Sequence, residues 1–481
     1  MSKPEPINSP DQSAPGEIPF VPRIINPIRV RKACLFAADE STRHARRALE
    51  TQMPWVVVES LTSPKAVAEI ASNEATVFLF DDVALNLVDT ELLKKNSSSA
   101  VIVLLTSSKL IQCSPPHVAQ REFPYTAHAD LVFAVNRSDF APARIIASVV
   151  RAAEDYLNIK KRSEVSRFIL LIVDDEPSWP SQFLPVLYRI IGQRADVKIT
   201  RTYEDALQFL FGTDREAEIM TDYHEHGHGD QVVCLITDVL FPLDGQMDAR
   251  AGEKLIDLVD RLYARIPIVI ATQAKDSTNL SDRGFMLTKG DPASLAALDS
   301  FIRDRTGMGD FVIYDESGSE VYRACDIGGI YRLLIAADGT DNHAQRLRSL
   351  LEAYGEKDKF STWFYMHGFQ SLGDTLRPRR LRGRQMISFL KKTVKAAIER
   401  MQRIPLVVGG TKVRNLQDLT EALLAASIAE VDAISRDDIL SSWLDQRGYS
   451  ELAEALRPVH GEGPALRDAL IRMIAQGTPR H

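Results

Sequence analysis

The chain has 481 residues, of which 45% are hydrophobic, 26% charged and 7% aromatic, and a formal net charge of −7. That length exceeds what one core holds and implies three or four domains of about 100 to 200 residues, and the acidic balance excludes a surface given over wholly to nucleic acid. The four cysteines, Cys34, Cys113, Cys234 and Cys325, are too dispersed for a disulfide framework or a structural zinc site. With no apolar run of about 18 residues to span a bilayer and no secretory signal, the expected setting is cytoplasmic and without a membrane partner.

Residues 1–28 carry Pro4, Pro6, Pro10, Pro15, Pro19, Pro22 and Pro27 among Ser, Asp and Glu, a composition that buries too little apolar surface to fold and reads as a disordered or extended arm. Residues 29–160 follow. The runs "KACLFAAD", "WVVVES", "ATVFLFDD", "AVIVLLTS" and "DLVFAVN" are short, apolar and separated by helical patterns, so they predict five buried strands of a parallel sheet. The order repeats over 161–308 with "RFILLIVDDE", "ADVKITRT", "QVVCLITDV", "IPIVIATQ" and "GFMLTKG". Two α/β domains of the same architecture therefore stand in tandem. Beyond them, "DFVIYDESGSEVYRACD" alternates about a Ser-Gly turn as a hairpin does, and the remainder, divided into modules 309–403 and 404–481, is expected to be mainly helical.

Ligands of open parallel sheets bind beyond the carboxyl ends of the strands. In the second domain those ends carry Asp174, Asp175, Asp238, Thr272 and Lys289. Three carboxylates converging on one cleft repel one another, and an oxygen-seeking divalent cation such as Mg²⁺ is the simplest way to hold them together. One of them could then attack phosphorus, with metal and lysine neutralising the incoming phosphoryl oxygens.

"ILLIVDDE", "LITDVLFPLDG", "IVIAT" and "MLTKG" resemble the receiver domain of bacterial two-component response regulators over residues 167–306. The resemblance implies two tandem flavodoxin-like (βα)₅ folds and a signalling protein whose sole chemistry is its own aspartyl phosphorylation. Asp238 would accept phosphate from a histidine kinase or phosphotransfer protein. Asp174, Asp175 and Asp238 would hold Mg²⁺, Thr272 would hydrogen-bond the phosphoryl group and Lys289 would pair with it. Two positions depart from the family: Gly290 stands where a proline is usual, and Met286 where an aromatic is usual, with Phe285 beside it. A receiver that has lost phosphorylation is the alternative. The loop "TDYHEHGHGD" could bind a metal through His224, His226, His228 and Glu225, but reads more simply as a solvated insertion.

The same test on the first domain finds Asp39 and Glu40 after its first strand, Asp82 in the place of Asp238, Thr106 after the fourth strand and Asn136 where Lys289 would be. Without that lysine a phosphoryl group lacks its fixed cation, and Arg137 is a poor substitute. The expectation is a receiver-like fold that is not phosphorylated and serves as a docking or homodimer surface, with a second phosphoacceptor at Asp82 as the alternative.

In the helical region, Asp358–Pro378 and Asp438–Pro458 align without a gap and match at eight of 21 positions, where unrelated sequences give roughly one or two. Each copy predicts a helical hairpin. Gly368 is expected just past its first helix, Trp363 and Trp443 in its core, and Asp358 and Asp438 as caps. Residues 168–381 also resemble the regulatory segment of phosphoenolpyruvate synthase-like and pyruvate phosphate dikinase-like bacterial proteins, from which no catalytic activity is carried over. Between the copies, Leu376–Arg403 holds ten Lys or Arg against Glu399 alone. A regulatory nucleic-acid binder using this stretch is one alternative, and a scaffold with inert receivers another. No nucleic-acid motif accompanies the stretch, so an output protein is the expected partner.

Overall fold

The fold was examined in a computed structural model, which describes residues 28–36, 46–47, 49, 53, 56–61, 63, 67, 70, 74–135, 142–161, 168–192, 194–219, 227–273, 280–377, 383–403, 405–436, 439–457, 459 and 462–477. Residues 1–27 of the proline-rich arm and Asp39, Glu40, Asn136, Arg137, His224, Glu225, His226 and Asp438 lie outside these residues.

Each predicted apolar run contains a strand. β1 (Lys32–Phe36), β2 (Val57–Ser60), β3 (Thr76–Phe80), β4 (Ala100–Thr106) and β5 (Leu131–Ala134) form one sheet in the order β2-β1-β3-β4-β5. Around it lie α1 (Asp82–Leu87), α2 (Thr90–Asn96), α3 (Lys109–Gln112), α4 (Pro116–Glu122) and α5 (Pro142–Lys161). β6 (Phe168–Val173), β7 (Ala195–Thr200), β8 (Val232–Asp238), β11 (Ile268–Thr272) and β12 (Phe285–Thr288) form a second sheet in the order β7-β6-β8-β11-β12. All neighbours are parallel, and both sheets have the second-first-third-fourth-fifth order of flavodoxin-like folds. β6 is buried along its whole length, as a central parallel strand covered on both faces must be. Its helices are α6 (Ser178–Ile191), α7 (Tyr203–Phe211), α8 (Ala251–Leu262) and α9 (Pro292–Thr306).

A small hairpin, β9 (Phe241–Leu243) with β10 (Gln246–Asp248), follows β8 directly. Its turn residues Asp244 and Gly245 both have positive φ, 52° and 73°, the Asp-Gly pattern of a two-residue hairpin turn. Gly252 lets α8 close on this region: a Cβ there would lie 2.2 Å from the Asp238 carbonyl oxygen.

α5 joins the two sheets. From one side Glu154 accepts the Val30 N–H at 3.0 Å, and from the other Asp155 accepts the Val197 N–H at 2.9 Å and the Tyr188 hydroxyl at 2.8 Å. Val197 lies on β7, an edge strand, so the carboxylate supplies a partner that no neighbouring strand can. Val30, Val149, Leu187 and Leu170 belong to one continuous apolar core shared by both α/β units.

Beyond the sheets come the hairpin β13 (Phe311–Tyr314) and β14 (Glu320–Ala324), then α10 (Ile327–Ala336), α11 (Asn342–Glu356), α12 (Lys359–Met366), α13 (Gln370–Leu376) and α14 (Gly383–Arg403). A further hairpin, β15 (Leu406–Val408) with β16 (Thr411–Val413), interrupts the expected run of helices. The chain continues as α15 (Leu416–Ala425), α16 (Ile428–Arg436), α17 (Ile439–Gln446), α18 (Ser450–Leu456) and α19 (Pro464–Gly477).

The repeat is two short helical hairpins, α12–α13 and α17–α18. Gly368 (φ 76°) and Gly448 (φ 81°) end the first helix of each. Phe369 N–H reaches the Phe364 carbonyl at 2.8 Å and Tyr449 N–H the Leu444 carbonyl at 3.0 Å, the same Schellman closure twice. Asp358 corrects one expectation. It precedes α12 with φ 55° and makes no backbone cap; its carboxylate accepts the Ser361 hydroxyl and, at 3.0 Å, Arg377 Nε. A residue in the left-handed region cannot aim its side chain at the first-turn amides as an extended cap does.

Trp363 and Trp443 are both fully buried. The Trp363 indole donates to the Gly309 carbonyl at 3.0 Å and stacks on His367 at 4.0 Å between centroids. Trp363→Ala should therefore destabilise the protein by about 3–5 kcal/mol. Urea unfolding of the variant against wild type measures this, and a loss below about 1 kcal/mol would contradict the packing role.

Candidate functional site

β6 and β8 lie side by side with Val173 paired to Thr237, so the residues that follow, Asp174 and Asp238, emerge together at the carboxyl edge of the sheet. β11 lies beyond β8 with Ala271 paired to Asp238, which puts Thr272 next to the same edge. β12 ends one residue before Lys289, whose N–H donates to the Thr272 carbonyl at 3.0 Å. The five predicted positions thus occupy one neighbourhood because four parallel strands end there.

Lys289 Nζ lies 2.7 Å from Asp174 Oδ2 and 2.5 Å from Asp238 Oδ2. The side chains of Lys289 and Asp174 are each 1% exposed, whereas that of Asp238 is 14% exposed. The carboxylate in contact with solvent is therefore Asp238, the group that a reagent could reach. Its other oxygen accepts the Val239 N–H at 2.6 Å. Asp175 completes the set, with one oxygen of each carboxylate within 4.8 Å of the others. Among the described residues this is the sole cluster of metal-ligand type.

Burial raises the Asp174 carboxyl to about 7 against the pull of Lys289, with Asp238 adding to the rise. Burial raises Asp175 to about 6, with Asp238 adding to it. Burial works against the Lys289 charge, but Asp174 and Asp238 outweigh it and hold the ammonium above its ordinary value. The cleft thus sets three carboxyl groups against one ammonium, an excess of acids whose ionisation burial disfavours in the absence of a further cation. Hard oxygen donors in that excess fit a divalent cation of the Mg²⁺ type.

Sequence reasoning passed over three neighbours. The Trp179 ring faces Lys289 Nζ at 5.3 Å, and its indole donates to Glu176 at 2.7 Å. Arg201 donates from Nε to the Asp175 carbonyl at 3.0 Å. Glu176 directly follows the acidic pair in the sequence, but no local pattern marks Trp179 or Arg201. Phe285, beside the departing Met286, stacks on Phe301 of α9 at 4.9 Å, while Met286 packs into the core on the other face. His228 is held by Gln231 at 3.2 Å and by the Phe209 ring at 4.9 Å.

The first sheet arranges its acids differently. Phe80 pairs with Leu104, so continuing the register puts Asp81, not Asp82, opposite Leu105, the counterpart of Ala271. Asp81 is occupied in capping α1 through the Ala84 N–H at 2.7 Å. Asp82 accepts the Thr106 hydroxyl at 3.0 Å and the Tyr125 hydroxyl at 3.3 Å. The expected equivalence of Asp82 and Asp238 thus fails by one residue.

No family model and no curated protein matches the chain. Among solved structures it is similar to one described as a probable two-component system response regulator/GGDEF domain protein, at 14% identity over 56% of this chain and 96% of that one, with a TM-score of 0.25. The Escherichia coli RcsC C-terminus, containing a linker region and phosphoreceiver domain, matches at 15% over 56% and 91%, with a TM-score of 0.20. A tagatose-6-phosphate ketose/aldose isomerase from the same organism matches at 8% over 57% and 79%, also at 0.20. Superpositions this loose assign no function, and none of the three is a phosphoenolpyruvate synthase-like protein.

The pocket has a pH signature. Because the folded carboxyls titrate near 7 and 6 rather than near 3.8, the folded state holds more protons than the unfolded chain between those values. What these two groups contribute to stability is then greatest at low pH and is lost as pH rises through about 6 to 7. In EDTA, the stability of wild type relative to Asp174→Asn should fall by on the order of 2 kcal/mol between about pH 5 and 8, and Mg²⁺ should reduce the fall. Urea unfolding at the two pH values checks this, and a flat difference would refute the assignment.

Proposed function

We propose that this chain is a response regulator of a phosphorelay, with Asp238 as the phosphoacceptor and the C-terminal hairpins as a protein-binding output. The observation that carries the reading is the Lys289 ammonium bridging Asp174 and Asp238 at the carboxyl edge of a sheet of flavodoxin-like order. An oxygen of the Asp238 carboxylate attacks phosphorus as the bond from phosphorus to the donor breaks. The donor is a phosphohistidine of a kinase or phosphotransfer protein, and its imidazole leaves with the electron pair of the broken P–N bond and takes up a proton. Lys289 would follow the charge from the carboxylate to the new phosphoryl oxygens, and Thr272 would donate its hydroxyl to one of them. Mg²⁺ held by Asp174, Asp175 and Asp238 would screen the repulsion between the attacking carboxylate and the phosphoryl oxygens.

The N-terminal domain, on this reading, is a receiver-like partner that takes no phosphate, because Asn136 stands in the sequence where a lysine would pair with the phosphoryl group. Incubation with acetyl phosphate and Mg²⁺ should add one phosphate per chain, detectable by mass. Asp238→Ala should abolish it, Lys289→Met should slow it by at least about tenfold, and a double Asp81→Ala, Asp82→Ala variant should leave it intact. Equal labelling of wild type and Asp238→Ala would remove Asp238 as the acceptor. No labelling of wild type would favour a scaffold.

A further inference from the structure

Arg201 directly follows β7, and its guanidinium serves two domains. Nε and Nη2 both donate to the Asp175 carbonyl, at 3.0 and 2.5 Å, and Nη2 also donates to the Ser114 carbonyl at 3.3 Å. Ser114 is a buried residue in the turn between α3 and α4 of the N-terminal domain. A second tie lies close by: the Ala134 N–H at the end of β5 donates to the Ser181 hydroxyl of α6 at 2.9 Å. The N-terminal domain thus meets the acidic segment at second hand in two places, through Arg201, which holds the Asp175 carbonyl, and through Ser181 of the helix that follows Asp175. A planar guanidinium holds two acceptors in a fixed relation, which an ammonium cannot reproduce.

We propose that Arg201 is a positioning residue for the acidic pocket, and that its shared bond to Ser114 makes the N-terminal domain respond to what the pocket holds. This rests on reading the pocket as the phosphoacceptor site. The Asp175 carbonyl and carboxylate belong to one residue, so a guanidinium that fixes the first restricts where the second can point. Cation ligation at the pocket and the position of the 113–115 turn are then linked through one side chain.

The test uses the full chain with Arg201→Lys and Arg201→Met. Mg²⁺ affinity is measured by calorimetry, amide exchange over residues 110–118 is followed on adding Mg²⁺ with beryllofluoride, and thermal unfolding controls for folding. Both variants should bind Mg²⁺ at least about tenfold more weakly, as removal of an outer-shell partner does, and both should lose the ligand-dependent exchange change at 110–118 that wild type shows. Arg201→Lys keeps the charge, so it separates positioning from simple electrostatics and serves if the methionine variant fails to fold. Mg²⁺ affinity within about twofold of wild type in Arg201→Lys, a change too small to reflect a lost positioning bond, or no exchange response in wild type, overturns the proposal. Should wild type bind Mg²⁺ and show the response yet take no phosphate from acetyl phosphate, the phosphoacceptor reading fails and the coupling stands.

Discussion

Lys289 is the constraint on which the second α/β unit turns. An ammonium with 1% of its side chain exposed must be paired, since an isolated buried charge costs many kcal/mol. Asp174 and Asp238 pair it, and they come from two other strands, so β6, β8 and β12 must end level with one another for the three groups to meet. The order of the sheet, the close approach allowed by Gly252 and the hairpin that carries the chain away from Asp238 all follow from keeping that edge intact. The same pairing leaves three carboxyl groups to one ammonium, a set of hard oxygen donors that fits a divalent cation.

How far this could be seen in the sequence follows from what kind of order each feature needs. The parallel strands are short apolar runs whose burial on both faces is written residue by residue, and every one forms where its run lies. The five site positions follow from those strands, because a polar residue after an apolar run has to sit at a strand end. Features set by register or backbone angle were less visible. A shift of one residue puts Asp81 rather than Asp82 opposite Leu105, and nothing in "FLFDDV" distinguishes the two. Asp358 looks like a helix cap until its φ of 55° is known. The Asp-Gly pair at 244–245 did carry a signal for the hairpin after β8, which the resemblance to a simpler fold obscured. Arg201 is the opposite case: its partners lie 26 and 87 residues away, and no local pattern could indicate them.

The repeat shows how one local design is put to two uses. Both copies keep the helix, the glycine turn and the buried tryptophan, because those are demands of the hairpin itself. They differ where each meets its surroundings. His367 of the first copy aligns with Arg447 of the second; His367 stacks on Trp363, whereas the Arg447 guanidinium lies over Trp443 at 4.3 Å. Asp374 accepts the Tyr365 hydroxyl at 2.7 Å, whereas its counterpart Glu454 turns to Arg457 at 2.6 Å. The conserved frame is thus a matter of packing, and the divergent polar residues set where each copy docks.

Those polar residues close a ring that joins the second α/β unit to both copies. The Gly309 carbonyl, just beyond α9, accepts from Trp363 and contacts His367 Nε2 at 2.9 Å. His367 Nδ1 lies 3.2 Å from Asp445 and 3.1 Å from the Ser450 hydroxyl. Arg457 spans Asp445 and Glu454, and Glu454 lies 3.6 Å from Arg194, which donates back to the Met308 carbonyl. Attraction within such a buried set is largely offset by the cost of taking the charges out of water, so its net contribution to stability is small. Its effect on geometry is not small, since removing any one member leaves another buried charge with a poorer partner. A displacement of α9 must then either carry the two hairpins with it or open the ring, and partial responses are the costly ones.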